Sequence, residues 1–255
     1  MSDVPFVHLH THTDYSLLDG ACEIKQLMSL AAKEQMPAIA MTDHGNMFGA
    51  VEFYNAAKDK GIHPVFGCEL YTVPGDHKKQ EGRYNHLLLL AQDQEGYRNL
   101  IKLVSTGYLE GFYYKPRVSK DMLAQHSKGL VCLSACLRGD VNESLLAEKY
   151  DEAKKTASDY RDIFGKDNFF LEIQDHGLEQ DGKLIPEVVR LAREIESPLV
   201  ATNDAHYLRK DDARAHDIFM CISTGKTYND PNRMKWDQSE FYIKNKAEME
   251  KLFGN

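Results

Sequence analysis

The 255-residue chain has no apolar run of the roughly 18–20 residues that a membrane-spanning helix requires. Its N-terminus, MSDVPFVHLH, lacks the basic segment and following apolar stretch of a secretion signal. The sequence also shows no internal repeat, low-complexity tract or convincing linker. These absences argue against a membrane-embedded, fibrous or disordered protein, and the length suits one large domain or two small ones.

Cysteine pairs and positive charge are also scarce. The five cysteines are odd in number, loosely spaced and without a CxxC pair, which predicts a chain that works in a reducing cytoplasm. The formal net charge is −8 and the pI is about 5.8, which argues against broad electrostatic attraction to nucleic acid. A local site stays open, because bound divalent cations can reverse the sign of a pocket.

What the sequence does contain is an alternation of short apolar runs and helical patterns. Most of the runs are continuous, as in strands that are buried on both faces. Seven runs have strand character, at 5–10, 37–42, 63–70, 86–91, 129–134, 168–173 and 198–203. Helical patterns lie at 24–35, 48–60, 94–109, 149–164, 183–195 and 210–222.

This alternation predicts an α/β fold with a parallel sheet and right-handed crossovers. Seven such units fit a closed (β/α) barrel, one unit short of the common eight. An open doubly wound sheet is the alternative, although no glycine-rich phosphate loop follows the first predicted strand.

In parallel barrels, catalytic residues gather at the carboxyl ends of the strands. Six of the seven predicted strands end in residue types that can bind a metal: His10 and His12; Asp43 and His44; Glu69; Cys136; Glu172, Asp175 and His176; and Asp204 and His206. The fourth strand is the exception, because His86 precedes its apolar run.

The first strand carries three histidines in five positions. Side chains at positions i and i+2 of a strand point the same way, about 6–7 Å apart, and two imidazoles at that spacing can chelate one ion. His8 and His10 form one such pair, and His10 and His12 form the other. We favour the second pair because His12 lies nearer the carboxyl end.

The last strand repeats this spacing with Asp204 and His206. Closure of a barrel places its first and last strands side by side, so we expect His10, His12 and Asp204 to form a shared site, with Glu69 reaching across. Imidazoles, carboxylates and one thiolate suit zinc, manganese or iron better than calcium.

Each part of this pattern also has a simpler explanation. An isolated HxH is weak evidence, and TDHG can be a turn in which Asp43 caps the following helix. Cys68 and Cys132 suit small apolar core positions. A barrel with unrelated polar residues around its rim would, however, require all of these placements to coincide.

Five segments together resemble the polymerase and histidinol phosphatase (PHP) family: HLHTHTDYSLLDG, MTDHGNMFGAVEFY, GCELY, NHLLLLA and TNDAHYL. LLDG and TDHGNM resemble one branch of it, the N-terminal domains of bacterial DNA polymerase III alpha subunits. The resemblance extends over essentially all 255 residues. It implies a distorted seven-stranded TIM-like barrel in which residues 1–255 form a single PHP domain, without the palm, fingers or later domains of a polymerase.

The resemblance also implies a trinuclear site for three divalent metal ions, which would be zinc, manganese or iron. The matching ligand positions are His10, His12, Asp19, His44, Glu69, His86, Cys136, Asp204 and His206. The family arrangement groups them as His10, His12, Glu69 and Asp204; Glu69, His86 and Cys136; and Asp19, His44 and His206. The ligand roles of Asp19 and His86 rest on the resemblance alone.

The implied function is a metal-dependent phosphoesterase that acts as a 3′–5′ exonuclease and proofreads DNA ends during DNA replication. Clustered divalent ions can supply hydroxide and neutralise the charge of a transferring phosphoryl group. His10, His12, Glu69 and Asp204 would form the catalytic group, because they would hold the ion that activates water.

Candidate substrate contacts are Arg138 and His176 near the site. Lys115 and Arg117 are further candidates, because the stretch 111–120 mixes tyrosines with basic residues, a composition that can stack bases and bind phosphates. An ordinary loop with packed tyrosines is the simpler explanation of that stretch. The expected partners are a DNA 3′ end or another phosphoester and, in a longer protein, the polymerase body and a proofreading subunit, with no membrane.

Three other functions stay open. The chain could hydrolyse small phosphomonoesters, as a histidinol phosphatase does. It could be a barrel amidohydrolase, a family that also begins with HxH but usually adds a lysine on a middle strand, which we do not find here. It could also be a non-catalytic scaffold that metals stabilise and that docks a polymerase.

Overall fold

The computed structural model describes residues 5–17 and 19–254; residues 1–4, Leu18 of the LLDG segment and Asn255 lie outside the described residues. The strands are β1 (Ala38–Met41), β2 (His63–Val73), β3 (Asn85–Ala91), β4 (Phe112–Tyr113), β5 (Lys115–Ser119), β6 (Leu130–Leu133), β7 (Phe169–Ile173) and β8 (Leu199–Ala201). The α-helices are α1 (Ile24–Lys33), α2 (Ala50–Lys60), α3 (Gln94–Leu109), α4 (Lys120–Gln125), α5 (Asp140–Leu146), α6 (Tyr150–Phe164), α7 (Glu179–Glu194), α8 (Ala213–Thr224) and α9 (Lys246–Phe253).

The six predicted helices are confirmed, with shifts of a few residues at their ends. α3 begins where Asp93 accepts a hydrogen bond from the backbone N–H of Gly96 at 2.8 Å, which satisfies one of the free donors of the first turn. α7 places Leu184, Val188 and Leu191 on one face, and that face is buried against the sheet.

The sheet is not wholly parallel, which corrects the prediction. β1 pairs with the first half of β2 in parallel, and β6, β7 and β8 are also parallel neighbours. β3 runs antiparallel to β2 on one side and to β6 on the other. A continuous apolar run indicates that a strand is buried, but it does not indicate whether the strand runs parallel or antiparallel to its neighbour. A parallel pairing needs a crossover connection, usually a helix, and the segment between β2 and β3 contains none.

The predicted first strand, 5–10, does not form a regular strand. Its backbone is nevertheless extended between β1 and the segment after β8, with hydrogen bonds to both sides: Ala40 N to His8 O (2.8 Å), Thr42 N to Thr11 O (3.0 Å), Ala205 N to His10 O (3.2 Å) and His12 N to Ala205 O (2.8 Å). This stretch, residues 5–12, joins the two ends of the sheet, and we call it the closing segment. The expected distorted seven-stranded (β/α) TIM-like barrel is thereby confirmed, and β4 and β5 form a small addition beside β2.

The apolar core lies between the barrel and its helices. The larger cluster joins the sheet to α3, α5, α6 and α7, and a second cluster lies under α1 and α2. Cys68 and Cys132 are both fully buried in the larger cluster, as the simpler explanation of these residues expected. Among the described residues, no helix is both long enough and apolar enough to cross a membrane.

Candidate metal centre

Three of the predicted ligands meet where the closing segment passes the end of β8. The Nε2 atoms of His10 and His12 lie 3.1 Å and 3.0 Å from the same oxygen, Asp204 Oδ1. The three side chains are almost completely removed from solvent. The i, i+2 spacing of the histidines and the closure of the barrel therefore bring these residues together as expected.

Glu69 lies at the centre of the cluster. Its Oε1 atom is 3.4 Å from His10 Nε2 and 3.0 Å from His86 Nδ1, and its Oε2 atom is 2.6 Å from His44 Nδ1. Oε1 is also 3.6 Å from the sulfur of Cys136. Glu69 would therefore be placed to hold cations together with the imidazoles on either side of it.

His44 lies between the remaining ligands. Its Nε2 atom is 3.2 Å from Asp19 Oδ2, and its ring stacks on that of His12 with a centroid distance of 4.1 Å. His206 stacks on His12 at 4.2 Å. Ligand atoms of His12, His44 and His206 lie within 4.8 Å of one another.

The position of His86 follows from the direction of β3. Because β3 is antiparallel to β2, its first residues lie beside the last residues of β2, and His86 is opposite Tyr71. The amino end of β3 therefore reaches the same mouth of the barrel as the carboxyl ends of the parallel strands. His86 Nδ1 lies 3.6 Å from Cys136 Sγ there.

The structure thus brings all nine predicted ligand residues into one mouth of the barrel. Within the part of the chain that the structure describes, three overlapping groups offer ligand atoms within 4.8 Å of one another: His10, His12 and Asp204; His44, Glu69 and His86; and His12, His44 and His206. The grouping differs in detail from the family arrangement, because His44 is shared between Glu69 and His206.

The Nδ1 atoms of His10, His12 and His206 are held by hydrogen bonds to other groups of the protein. His10 Nδ1 is 2.7 Å from Glu172 Oε1, and His206 Nδ1 is 2.8 Å from the backbone oxygen of Asp204. Both partners are hydrogen-bond acceptors, so each Nδ1 donates. When the ring is neutral, the Nε2 atom has a lone pair that faces the cluster, which is the tautomer that a metal ligand requires.

His12 is oriented by a chain of two further residues. Ser16 Oγ donates to Asp43 Oδ1 at 2.8 Å, so it can accept a hydrogen bond from His12 Nδ1 at 2.9 Å. Asp43 also accepts from the backbone N–H and the hydroxyl of Thr13, both at 2.7 Å. Asp43 therefore does not cap α2, as the simpler explanation of TDHG proposed. It positions the turn that carries His12.

The pKa values show how strongly the cluster concentrates charge. Burial alone lowers the pKa of His10, but the carboxylates of Asp204 and Glu172 outweigh burial and hold that pKa well above its usual value. Burial opposes ionisation of Glu69, yet the imidazoles of His86 and His44 hold its pKa well below its usual range. Burial lowers the pKa of His44, but Asp19 and Glu69 outweigh it and raise the value to about 10.

These directions indicate a site that is built for cations. The carboxylates stay ionised at complete burial only because imidazoles supply positive charge in their place. Burial, together with the nearby charges of Glu69 and Asp204, raises the pKa of the Cys136 thiol well above its usual value. Ionisation of Cys136 therefore requires a cation beside it.

The residues fit a metal cluster by a test that is independent of any resemblance. Among the described residues, the following buried ligand atoms make no hydrogen bond of normal geometry, although most of them face one another across the cluster: His10 Nε2, His12 Nε2, Asp19 Oδ1, His44 Nδ1, Glu69 Oε2 and Asp204 Oδ1. Leaving a buried polar atom unpaired costs about 1–3 kcal/mol, so several such atoms in one place require a common partner. Divalent cations suit this set of imidazole and carboxylate donors.

The backbone has a positive φ at the ligand Asp204 and at the neighbour of the ligand Cys136. Asp204 has φ of 43° and Ala135, which precedes Cys136, has φ of 64°. Left-handed backbone at a residue other than glycine costs on the order of 1 kcal/mol or more and concentrates at functional sites. It turns the chain sharply just past the ends of β8 and β6, where the side chains of Asp204 and Cys136 enter the cluster.

Two of the four predicted substrate contacts line the open side of the centre. Lys115 and Arg138 border a cavity beside the cluster, and both are exposed. Arg138 also lies 3.6 Å from Glu143. His176 borders the same cavity but is buried: its Nε2 atom contacts the backbone oxygen of Asn203 at 2.9 Å, and its ring stacks on Phe241.

Arg117 does not have the surroundings that were predicted for it. Its side chain is 1% exposed, and its guanidinium donates to four backbone oxygens: those of Gly111, His77, Lys79 and Glu81. The donors are therefore used within the fold and not offered to a phosphate. Alternation of tyrosine and basic residues in the sequence could not distinguish Arg117, which points inward, from Lys115, which points to the cavity.

Sequence reasoning also overlooked residues that position the ligands. The position of Glu172 at a strand end does not link it to His10, and the sequence gives no signal for the role of Ser16. The sequence signal for Glu172 is a single acidic residue within the apolar run 168–173. Trp236 was missed too, although its ring lies 4.8 Å from that of His206, because nothing in its surrounding segment marks it.

Comparison with known proteins gives a consistent assignment. The PHP domain family model matches residues 8–176. The chain is 46% identical over 258 residues to the DNA polymerase III subunit alpha of Treponema pallidum and 47% identical over 255 residues to that of Borreliella burgdorferi. These matches cover 99% and 98% of this chain but 22% of each relative, so the chain spans about a fifth of the length of the curated relatives it matches.

A similar solved structure is an amidohydrolase from Chromobacterium violaceum with bound sulfate and no metal. Its TM-score is 0.52 at 16% sequence identity, and the match covers 79% of this chain and 87% of that chain. At this identity, the likeness concerns the barrel fold alone. The PHP model covers more than half of the chain, including the segments that contribute His10, Glu69, His86 and Cys136. The chain therefore belongs to the PHP domain family.

Proposed function

We propose that this chain is a metal-dependent phosphoesterase and that its preferred reaction is 3′–5′ exonucleolytic hydrolysis of DNA, as in proofreading. The single observation that carries the proposal is the convergence of unpaired, buried imidazole and carboxylate atoms at one mouth of the barrel. That donor set suits zinc, manganese or iron, and we propose three divalent ions as the full complement.

The proposed ligands are the nine residues His10, His12, Asp19, His44, Glu69, His86, Cys136, Asp204 and His206. Bound divalent ions would supply hydroxide at neutral pH and would neutralise charge on the attacking and leaving oxygens. His10, His12, Glu69 and Asp204 form the proposed catalytic group. Glu172 and Ser16 fix the orientation of His10 and His12, so that two Nε2 atoms face the cluster.

The charge balance supports a phosphate substrate. The nine residues carry four formal negative charges once Cys136 is ionised, whereas three divalent ions carry six positive charges. The loaded pocket would be positive by about two charges, although the whole chain has a net charge of −8. Exposed Lys115 and Arg138 at the cavity add local positive charge where a DNA backbone would approach.

The domain limits form part of this proposal. Asp204 and His206 lie beyond the family match at 8–176, yet they contact His10 and His12 directly. We propose that residues 1–255 act as a single PHP domain, which would be followed in a longer protein by a polymerase body. The polymerase body and a proofreading subunit are the proposed protein partners, and the cytoplasm is the proposed location.

The proposal is tested by release of nucleotides from 3′-labelled DNA with metal-loaded protein. We expect metal-dependent release, and we expect His12→Ala to reduce it to a hundredth or less, because loss of even an outer-shell partner costs about 10–100-fold. His63→Ala is the matched control: His63 is an exposed histidine at the start of β2, away from the cluster, and its substitution should leave release unchanged.

Two results would contradict the nuclease proposal. Hydrolysis of small phosphomonoesters without release of DNA nucleotides would favour a phosphatase of the histidinol phosphate type. Binding of metal ions without turnover of either substrate would favour the non-catalytic scaffold.

One observation favours the scaffold as a second function. Exposed rings of Phe48, Tyr108 and Phe112 lie in a row on the outer surface, with centroid distances of 6.1 Å and 6.2 Å, and Leu109 beside them is 84% exposed. A contiguous apolar patch of this kind suits contact with another protein surface. Docking through this patch would not by itself prevent hydrolysis at the cluster, because the patch does not include any of the nine ligands.

A further inference from the structure

A cavity of about 450 Å³ opens directly beside the metal cluster. Predicted ligands such as Asp19, His44 and His206 line one side of it, and an apolar wall of Met234, Trp236 and Phe241 lines another. This volume is within the range of about 300–1,000 Å³ that is common for small-molecule sites. A phosphate group alone would occupy only part of it.

Trp236 connects the apolar wall to the cluster. Its ring meets the ring of His206 edge-on at 4.8 Å and packs against Phe241 at 4.1 Å. It also contacts His216, whose Nε2 atom is 2.7 Å from the backbone oxygen of Asp19. The indole is therefore fixed within the length of one nucleotide from the place where a phosphate would be held, and it remains partly exposed to the cavity.

The rest of the cavity combines aromatic and basic groups. Tyr71 and Tyr84 line it near His86, and Lys115 lies 5.2 Å from the centre of the Tyr71 ring. Arg138 and Lys235 add two more cationic side chains. Aromatic rings beside basic residues are the combination that binds single-stranded nucleic acid, because bases stack on the rings and phosphates contact the cations.

We propose that this cavity is a nucleoside subsite in which Trp236 and the adjoining apolar wall contact the base of a nucleotide whose phosphate is held at the cluster. Trp236 is therefore a specificity residue that favours a nucleotidyl phosphoester over a phosphate ester of a small polyol. This inference rests on the proposed phosphoesterase function and adds to it the residue that would recognise the base. A substrate without a base would leave the apolar wall in contact with water.

The chain offers a direct probe, because Trp236 is its only tryptophan. We would titrate zinc-loaded protein with adenosine 5′-monophosphate, ribose 5-phosphate and inorganic phosphate while recording tryptophan fluorescence. We expect the adenosine nucleotide to quench the emission and to bind at least about fivefold more tightly than ribose 5-phosphate, since stacking of one base on an aromatic ring is worth that factor or more.

Variants separate stacking from a merely structural role of the indole. By calorimetry, Trp236→Ala should reduce the preference for the adenosine nucleotide over ribose 5-phosphate to less than about twofold, and Trp236→Phe should restore part of it. Met234→Ala, at a side chain that is 55% exposed in the same wall, tests the wall if Trp236→Ala does not fold. Tyr54→Ala removes an exposed aromatic ring on α2, outside the cavity, and should preserve the preference.

The possible failures are distinguishable. If both phosphate compounds bind equally to the wild type and leave the fluorescence unchanged, the subsite is refuted while a phosphoesterase remains possible. If neither compound nor inorganic phosphate binds the zinc-loaded protein, the subsite and the phosphoesterase proposal both fail. An equal loss of affinity for all three compounds in Trp236→Ala would show that the indole only supports the cluster, and it would also overturn the inference.

Discussion

Glu172 offers a demanding test of how the barrel builds its metal centre, because it touches no proposed metal position itself. Its side chain is fully buried, and its Oε1 atom is 2.7 Å from His10 Nδ1. The same oxygen accepts hydrogen bonds from Thr202 Oγ1 and Gln174 Nε2. We predict that Glu172→Gln weakens binding of the ions that His10 serves.

The magnitude follows from what the substitution removes. A glutamine has the same shape and still offers one acceptor oxygen in the place of Oε1, but it loses the negative charge that makes His10 a more basic ligand. Loss of such an outer carboxylate typically lowers metal affinity about 10–100-fold, which is about 1.4–2.7 kcal/mol. We expect a loss in this range for the most affected ion.

The measurement is competition between the protein and a chromogenic zinc chelator, with the number of ions per chain obtained by elemental analysis. Glu143→Gln is the matched control. Glu143 is a partly exposed carboxylate 3.6 Å from Arg138, and its loss should change affinity by at most about fivefold, as for an ordinary surface ion pair.

A double-mutant cycle decides whether Glu172 acts through His10. If it does, Glu172→Gln should cost little in a protein that already carries His10→Ala, because neighbours in one network are not additive. Full additivity of the two losses would refute the argument. Unchanged affinity for every ion in Glu172→Gln would refute it as well.

Two further predictions concern stability. Arg117→Met should lower the free energy of unfolding, measured in urea, by about 2–4 kcal/mol without changing the metal content, because buried carbonyl groups lose their hydrogen-bond donor. The control Lys115→Met should lower it by about 1 kcal/mol or less. Equal losses in the two variants would contradict the structural role of Arg117. His8 is neutral in the fold, because burial lowers its pKa from 6.5 to about 4, so the unfolded state binds more protons as the pH falls below 6.5. Stability should therefore fall by about 2 kcal/mol more between pH 7 and pH 5 in the wild type than in His8→Gln, and parallel pH profiles in urea would refute this.

Much of the fold could be predicted from local sequence. Amphipathic periodicity located α3 and α7, because a helix in contact with a sheet must bury one face. Apolar runs located the barrel strands, although the first run forms the irregular closing segment and not a regular strand. The direction of β3 could not be predicted, since an apolar strand pairs equally well in either sense and only its neighbours decide the register.

The candidate site shows the same division. The HxH spacing placed His10 and His12 on one side of an extended segment, and barrel closure brought Asp204 to them. His86 did not follow the rule for strand ends because that rule assumes parallel strands. The prediction that Arg117 contacts the substrate is not supported, because its side chain points inward to backbone carbonyl groups. Which carbonyl groups surround a side chain cannot be read from a segment of mixed aromatic and basic residues.

The sequence by itself determined the donor types, the strand-like segments that carry them and the seven-unit barrel, because these depend on side-chain chemistry and on short-range periodicity. Only the tertiary structure decided that β3 runs antiparallel to its neighbours, that Glu69 lies between two groups of imidazoles, and that Trp236 contacts His206. Those facts depend on contacts between residues far apart in the chain, whose packing is fixed when the whole barrel closes.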